Sequence, residues 1–158
     1  MTGLILGSTS TYRRALMERL QVPFTTEEPD VNEEDVKAGD NPLAIVQELA
    51  RRKANAVYAR HPNGVVIGCD QAVCLENRML GKPGNAENAI AQLRELRGQE
   101  HRLLTAVAIA HRGGLVEFVD TTRLVMRDLS DGEIDRYVRT EEPFDCAGSY
   151  KIERLGIT

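Results

Sequence analysis

A carboxylate stands at the end of a predicted buried strand. Asp70 follows the apolar run at residues 65–67, and sheets flanked by helices tend to bind ligands where their strands end. Carboxylate oxygens suit Mg²⁺ or Mn²⁺, and a single Asp can hold a metal while orienting a water molecule. The competing interpretation is an Asp that caps a turn, which is common.

A hydroxyl-rich segment, Gly-Ser-Thr-Ser-Thr-Tyr-Arg-Arg at residues 7–14, separates a predicted strand from a helix. Helix N-termini present unpaired N–H groups that suit phosphate. Arg13 and Arg14 lie in the first turn, where the helix dipole disfavours cations. A bound anion would relieve that conflict, and guanidinium groups match phosphate oxygens well. The alternative is an ordinary Ser-capped helix with solvated arginines.

Two lysines are further candidates. Lys53 follows Ala50 by three residues and Leu49 by four, so it borders the apolar stripe of a predicted helix. An ammonium held there needs a carboxylate or phosphate partner, unless the side chain reaches solvent. Lys82 lies in a Gly-Lys-Pro loop and is a candidate second phosphate ligand, although that motif alone is weak.

Two other segments contain side chains that could bind a metal ion or a nucleotide. The acidic cluster at residues 30–35 is typical of a solvated loop, and less often one such carboxylate completes a metal site. The segment 145–153, Asp-Cys-Ala-Gly-Ser-Tyr-Lys-Ile-Glu, has the variety that a nucleotide pocket needs. A plain strand and turn would have the same composition.

Alternating helices and strands, followed by a hairpin, must position these residues. The periodicity predicts strands at 4–6, 65–67, 101–111 and 115–127, with the second continuing at 72–75 after a break at Asp70. Helices are predicted after Ser10, over 42–60, after Asn85 and after Ser130, which opens a capping box. A Gly113-Gly114 turn joins the last two strands. This order predicts an α/β fold with a mixed sheet.

Composition narrows the functional class. A chain of 158 residues fits one domain, or one domain with a small lobe. A net charge of -4 gives no electrostatic argument for a nucleic acid or an anionic membrane as partner. The three cysteines lack metal-ligand spacing, which indicates reduced thiols in a cytoplasmic protein. No signal peptide or membrane span is predicted.

Taken in order, these segments resemble the Maf family of nucleotide pyrophosphatases along essentially the whole chain. The matching segments are the Ser-x-Ser-Pro-Arg-Arg-like opening at 8–14, the acidic loop at 29–33, the Leu-Ala-x-x-Lys-Ala helix at 49–54, the Asp70 motif at 67–71, Leu-Gly-Lys-Pro at 80–83 and the late Ala-Gly-x-Tyr motif at 147–151. Thr11 stands where the family usually has Pro, and Arg154 and Leu155 replace a Gly and an aromatic residue.

The resemblance implies a Maf/inosine-triphosphatase-like mixed sheet flanked by helices, in a single domain over residues 1–158 with two lobes around a deep cleft. It implies a divalent cation (Mg or Mn), cleavage between the α and β phosphates, and a homodimer. The implied catalytic residues are Asp70, Glu33, Lys53 and Lys82, with Asp70 and Glu33 holding the metal. The implied substrate-binding residues are Ser8, Ser10, Arg13, Arg14, Gln71, Ser149, Lys151 and Glu153.

The resemblance also addresses the substrate. Branches that prefer dTTP and UTP tend to carry Asp-Thr where this chain has Asp70-Gln71, so the 7-methyl-GTP branch is expected, with 7-methyl-GMP and pyrophosphate as products. Glu153 would suit a cationic methylated guanine, although lysine pairing also explains it. The alternatives are a pyrophosphatase for dTTP, UTP or another modified nucleotide, and a truncated non-catalytic nucleotide-binding protein. Family members continue with a further strand and helix, which are expected to be missing here.

Overall fold

The computed structural model describes residues 3–36, 41–151 and 154–157. Its regular elements are β1 (Leu4–Leu6), α1 (Thr11–Glu18), β2 (Thr25–Thr26), α2 (Pro42–Arg60), β3 (Val65–Leu75), β4 (Arg78–Leu80), α3 (Ala86–Leu96), β5 (Glu100–His111), β6 (Gly114–Val125) and α4 (Asp131–Glu141). Single 3₁₀ turns lie at Glu33–Asp35, Ala147–Ser149 and Leu155–Ile157. Within the described ranges, no helix combines the length and apolarity needed to cross a bilayer.

The strands form a mixed sheet, as the sequence predicts. Their order is β2-β1-β3-β5-β6, and β4 pairs with β3 beside that path. Strand β1 runs parallel to both neighbours, with Ile5 opposite Thr25 on one side and Val66 on the other. Strand β4 is antiparallel to β3, with Cys74 opposite Met79. The fold class therefore agrees with the α/β expectation.

Strand β3 corrects the prediction of a break at Asp70. It runs without interruption from Val65 to Leu75, so Asp70 lies inside the strand rather than at its end. Side chains alternate between the faces of a strand, which places Asp70 on the same face as Val66 and Gly68. Helix α2 packs on that face and supplies a cation, so the carboxylate is accommodated without ending the strand.

The hairpin of β5 and β6 turns one residue earlier than predicted. Arg112 and Gly113 form the turn, and Gly114 opens β6 with a φ of +127°, a conformation that favours glycine. At the other end of the hairpin, the Met126 N–H donates to the Gln99 carbonyl at 3.1 Å.

The chain divides into two compact units. The first comprises residues 1–71 and 105–120, and the second comprises residues 72–104 and 121–158. Apolar side chains of β1, α2 and β3 pack together in the first unit, including Ile5, Val57 and Val66. The second unit has two buried clusters, one made by Val73, Leu75, Leu80 and Leu96 and the other by Ala89, Leu93, Ile134 and Val138.

Each of the four longer helices begins with a capping side chain, although the cap at the start of α2 was not predicted. The side chains that accept a backbone N–H at the N-termini of α1, α2, α3 and α4 belong to Ser10, Asn41, Asn85 and Ser130. Ser130 and Glu133 form the predicted capping box. Each cap satisfies a backbone donor that the helix itself leaves unpaired.

Candidate active site

Helix α2 and strand β3 approach each other closely in the first unit. A Cβ atom added to Gly68 would lie 2.3 Å from the Ala50 carbonyl oxygen and 2.4 Å from the Ala54 nitrogen. Both atoms belong to the helix backbone, so no larger residue fits without moving the helix. The close contact brings Lys53, which lies between these two alanines, against Asp70.

Lys53 bridges two carboxylates. Its Nζ atom lies 2.7 Å from Asp70 Oδ1 and 2.7 Å from Glu33 Oε1. The side chains of Lys53 and Asp70 are only 7% and 10% exposed, whereas Glu33 is 58% exposed. The sequence left open whether Lys53 meets a carboxylate, a phosphate or solvent, and in this structure it meets carboxylates. A buried ammonium paired in this way is held firmly.

Asp70 has an unusual electrostatic environment. Burial raises the pKa of its carboxyl group above the ordinary 3.8, and the neighbouring Glu33 adds to the rise. Lys53, by charge and by hydrogen bond, and Arg13, by charge, oppose it. Asp70 therefore accepts a proton more readily than an ordinary aspartate, while Lys53 favours its ionised form.

The loop between β1 and α1 forms a small hydrogen-bonded structure. Gly7 donates its N–H to the Ile67 carbonyl at 2.8 Å, which fixes the loop beside β3. The buried Ser8 Oγ accepts from the Ser10 N–H at 3.2 Å and from Arg13 Nη1 at 3.4 Å. Burial raises the pKa values of Cys69 and Asp70, and the charge of the Arg13 guanidinium opposes both rises. This predicted phosphate ligand therefore lies close to the Asp70 carboxylate.

Arg14 occupies a different environment. Its Nε donates to Glu18 Oε1 at 3.2 Å, and both side chains are mostly exposed. A pair of this kind one helical turn apart is worth only a few tenths of a kcal/mol, about 0.3–0.5. The structure therefore does not bring Arg14 into the group around Asp70, and its predicted role in phosphate binding stays a prediction.

Gln71, the next residue on β3, points to the face opposite Asp70. Its Nε2 donates to Thr105 Oγ1 on β5 at 2.8 Å. The structure thus supports the amide from a neighbouring strand within the first unit.

The other predicted ligands belong to the second unit. Lys82 lies exposed in the loop between β4 and α3. Ser149 is buried and donates to Gln92 Oε1 at 2.5 Å, and Lys151 Nζ donates to the Glu141 carbonyl at 2.9 Å. These two side chains therefore have bonding partners inside their own unit. Glu153 lies outside the described residues.

A metal ion would find two carboxylates rather than a complete cage. The described residues contain no group of three or more His, Cys, Asp or Glu side chains placed to hold a cation. Asp70 and Glu33 instead face a common point now held by the Lys53 ammonium. Such a donor set fits Mg²⁺, which commonly binds through one or two carboxylates together with substrate phosphates.

Sequence reasoning missed two residues of interest, Thr105 and His101. Thr105 supports Gln71, and no local pattern connects two residues that lie 34 positions apart on different strands.

In the second unit, His101 Nε2 lies 2.7 Å from the Tyr150 hydroxyl. Their rings meet edge to face, with centroids 5.5 Å apart. Burial lowers the pKa of His101 and raises that of Tyr150, so both groups stay neutral near pH 7. The His101–Tyr150 pair is a structural support under the late Ala-Gly-x-Tyr motif.

Three known proteins that are similar to this chain carry the same name. A protein named 7-methyl-GTP pyrophosphatase from Polaromonas sp. is 47% identical over 156 residues, covering 98% of this chain and 71% of that protein. The protein of the same name from Aromatoleum aromaticum is 48% identical, covering 98% of this chain and 80% of that protein. The one from Xanthomonas axonopodis pv. citri is 45% identical, with coverage of 100% and 83%.

Among solved structures, the Ham1 protein of Staphylococcus aureus shares the fold. The TM-score is 0.57 at 15% identity, covering 80% of this chain and 73% of that one. The Maf-like protein family matches residues 3–158, which is nearly the entire sequence. This chain therefore belongs to the Maf family.

Proposed function

We propose that the protein hydrolyses 7-methyl-GTP to 7-methyl-GMP and pyrophosphate. The observation that carries the proposal is the buried Lys53–Asp70 pair beside the loop of Ser8 and Arg13. Within the first unit, this pair and loop provide a carboxylate able to accept a proton and cations able to bind phosphate. The names of the relatives, at 45–48% identity, support the substrate.

The chemistry requires a water oxygen to form a bond to the α phosphorus while the bond to the bridging oxygen of the pyrophosphate breaks. Asp70 orients that water and accepts its proton, a role that suits a carboxylate with a raised pKa. Lys53 holds Asp70 in place. Arg13 stabilises the charge that develops on the phosphate oxygens, and Lys82 is proposed as a further phosphate ligand.

We also propose Asp70 and Glu33 as the protein ligands of Mg²⁺ or Mn²⁺. When bound, the cation would supply Lewis-acid stabilisation of the phosphate charge. An enzyme of this kind acts where nucleoside triphosphates are found, which favours the cytoplasm. A homodimer is proposed from the family resemblance, and light scattering coupled to size exclusion tests it.

A substrate panel tests the function directly. Purified protein with Mg²⁺ or Mn²⁺ is offered 7-methyl-GTP, GTP, dTTP, UTP and dITP, and released pyrophosphate is measured. We expect the highest kcat/KM for 7-methyl-GTP, and loss of turnover in Asp70→Asn. A preference for dTTP or UTP would correct the base, and nucleotide binding without turnover of any triphosphate would overturn the enzymatic proposal.

A further inference from the structure

We propose that Thr105 is a positioning residue that holds the carboxamide of Gln71 for contact with the base of the nucleotide. The inference rests on the proposed function, because it assigns part of the substrate contact in the same site. Its starting point is the 2.8 Å hydrogen bond from Gln71 Nε2 to Thr105 Oγ1. Gln71 is exposed and Thr105 is half-buried, so the bond anchors a solvent-facing amide to the sheet.

The geometry of β3 relates Gln71 to the phosphate-binding loop. Side chains two positions apart share a face of a strand, so Cys69 and Gln71 lie on one face. The positive charge of the Arg13 guanidinium opposes the rise that burial causes in the pKa of the Cys69 thiol and of the Asp70 carboxyl group, so Arg13 lies near both. From Cys69 to Gln71 the strand advances by about 6.6 Å. That distance is comparable with the span of a ribose, so a phosphate at Arg13 places the base near Gln71.

The hydrogen bond also determines what Gln71 offers. A carboxamide has two N–H donors and one oxygen acceptor, and here one N–H is held by Thr105 while the oxygen is left for a ligand. The oxygen is therefore presented as an acceptor, which suits a base edge carrying N–H donors, such as the amino group of guanine. Without Thr105, the exposed side chain would rotate freely, and ordering it would weaken binding.

Four variants test this arrangement: Thr105→Val, Thr105→Ser, Gln71→Ala and the double variant Gln71→Ala with Thr105→Val. Valine keeps the shape of threonine and removes the hydroxyl, while serine keeps the hydroxyl. For 7-methyl-GTP we expect Thr105→Val to raise KM about threefold to tenfold, the effect of one hydrogen bond, with kcat changed less than twofold. Thr105→Ser should stay close to the parent protein, and Thr105→Val should add nothing in the Gln71→Ala background.

Two further readouts separate the possible outcomes. Inorganic tripolyphosphate lacks a base, so its KM should not respond to Thr105→Val. In a ¹⁵N spectrum of the free protein, the side-chain amide resonance of Gln71 should shift in Thr105→Val. In Thr105→Ser it should keep the position that it has in the parent protein. This spectrum tests the hydrogen bond even if the parent protein hydrolyses no nucleotide, a result that would overturn the proposed function instead. An equal KM effect in both Gln71 backgrounds, or an unmoved amide resonance, would overturn the role of Thr105.

Discussion

Gly68→Ala is expected to impair catalysis by displacing the backbone of α2, although it changes no proposed catalytic side chain. The added Cβ would lie 2.3 Å from the Ala50 carbonyl oxygen, whereas ordinary contacts begin near 3.4 Å. Helix α2 must therefore retreat by about 1 Å, and overpacking of this kind costs about 1–3 kcal/mol. Lys53 is carried by the retreating segment, so its 2.7 Å contact with Asp70 would lengthen beyond good hydrogen-bond geometry.

The expected functional loss is larger than the loss of stability. A displacement of about 1 Å in a catalytic arrangement can reduce turnover about 100-fold. Urea denaturation measures the change in the free energy of unfolding, and pyrophosphate release measures kcat on the fraction that remains folded. Gly3→Ala is the matched control, because no atom lies within 4 Å of its added Cβ. A Gly68→Ala variant as stable and active as the control would refute the reasoning.

Three other substitutions probe separate features. Lys53→Met is expected to lower the free energy of unfolding by about 3 kcal/mol at pH 7 and by less at pH 4. The acid concerned is Asp70, whose pKa is raised in the fold. Such an acid favours folding at low pH, where it is protonated, and loses that contribution as the pH rises through the raised pKa. Equal losses of stability at pH 7 and pH 4 would contradict this explanation. Burial lowers the pKa of His101 below its ordinary 6.5, so the unfolded chain takes up the proton first and stability should fall as pH drops below about 6.5. Thermal unfolding of His101→Gln should show a flatter decline than the control His111→Gln. Ser130→Ala removes a helix cap and should cost about 1 kcal/mol by urea denaturation, and no change would show that the cap is dispensable.

Local patterns predicted most of the fold. The caps at Ser10, Asn85 and Ser130 follow from side chains that accept backbone N–H groups. The hairpin follows from turn residues between two apolar strands. The break predicted at Asp70 was wrong because a strand accommodates a buried carboxylate when a cation faces it. That cation, Lys53, is 17 positions away and belongs to another element.

In the candidate site, too, the individual residues could be predicted but the contacts between distant positions could not. Lys53, Glu33 and Asp70 were each predicted from local chemistry and family resemblance, and the structure joins them in one bridge. The support that Thr105 gives to Gln71 could not be predicted, because strand neighbours are set by sheet topology. Ser149 and Lys151 looked available in the sequence, yet their side chains bond to Gln92 and Glu141. Local composition does not reveal which polar groups a fold uses for its own support.

The β5–β6 hairpin has a consequence for how the molecule folds. Its pairing begins at a two-residue turn and can spread outward one pair at a time, so each step closes only a small additional loop. Pairing of β1 with β3, by contrast, joins Ile5 to Val66 and must close a long loop that contains α2. The ribbon can therefore form early, whereas the pairing of β1 with β3 must wait for that long loop to close. The loop of Ser8 and Arg13 directly follows β1, so it comes to lie beside β3 only when that closure is complete.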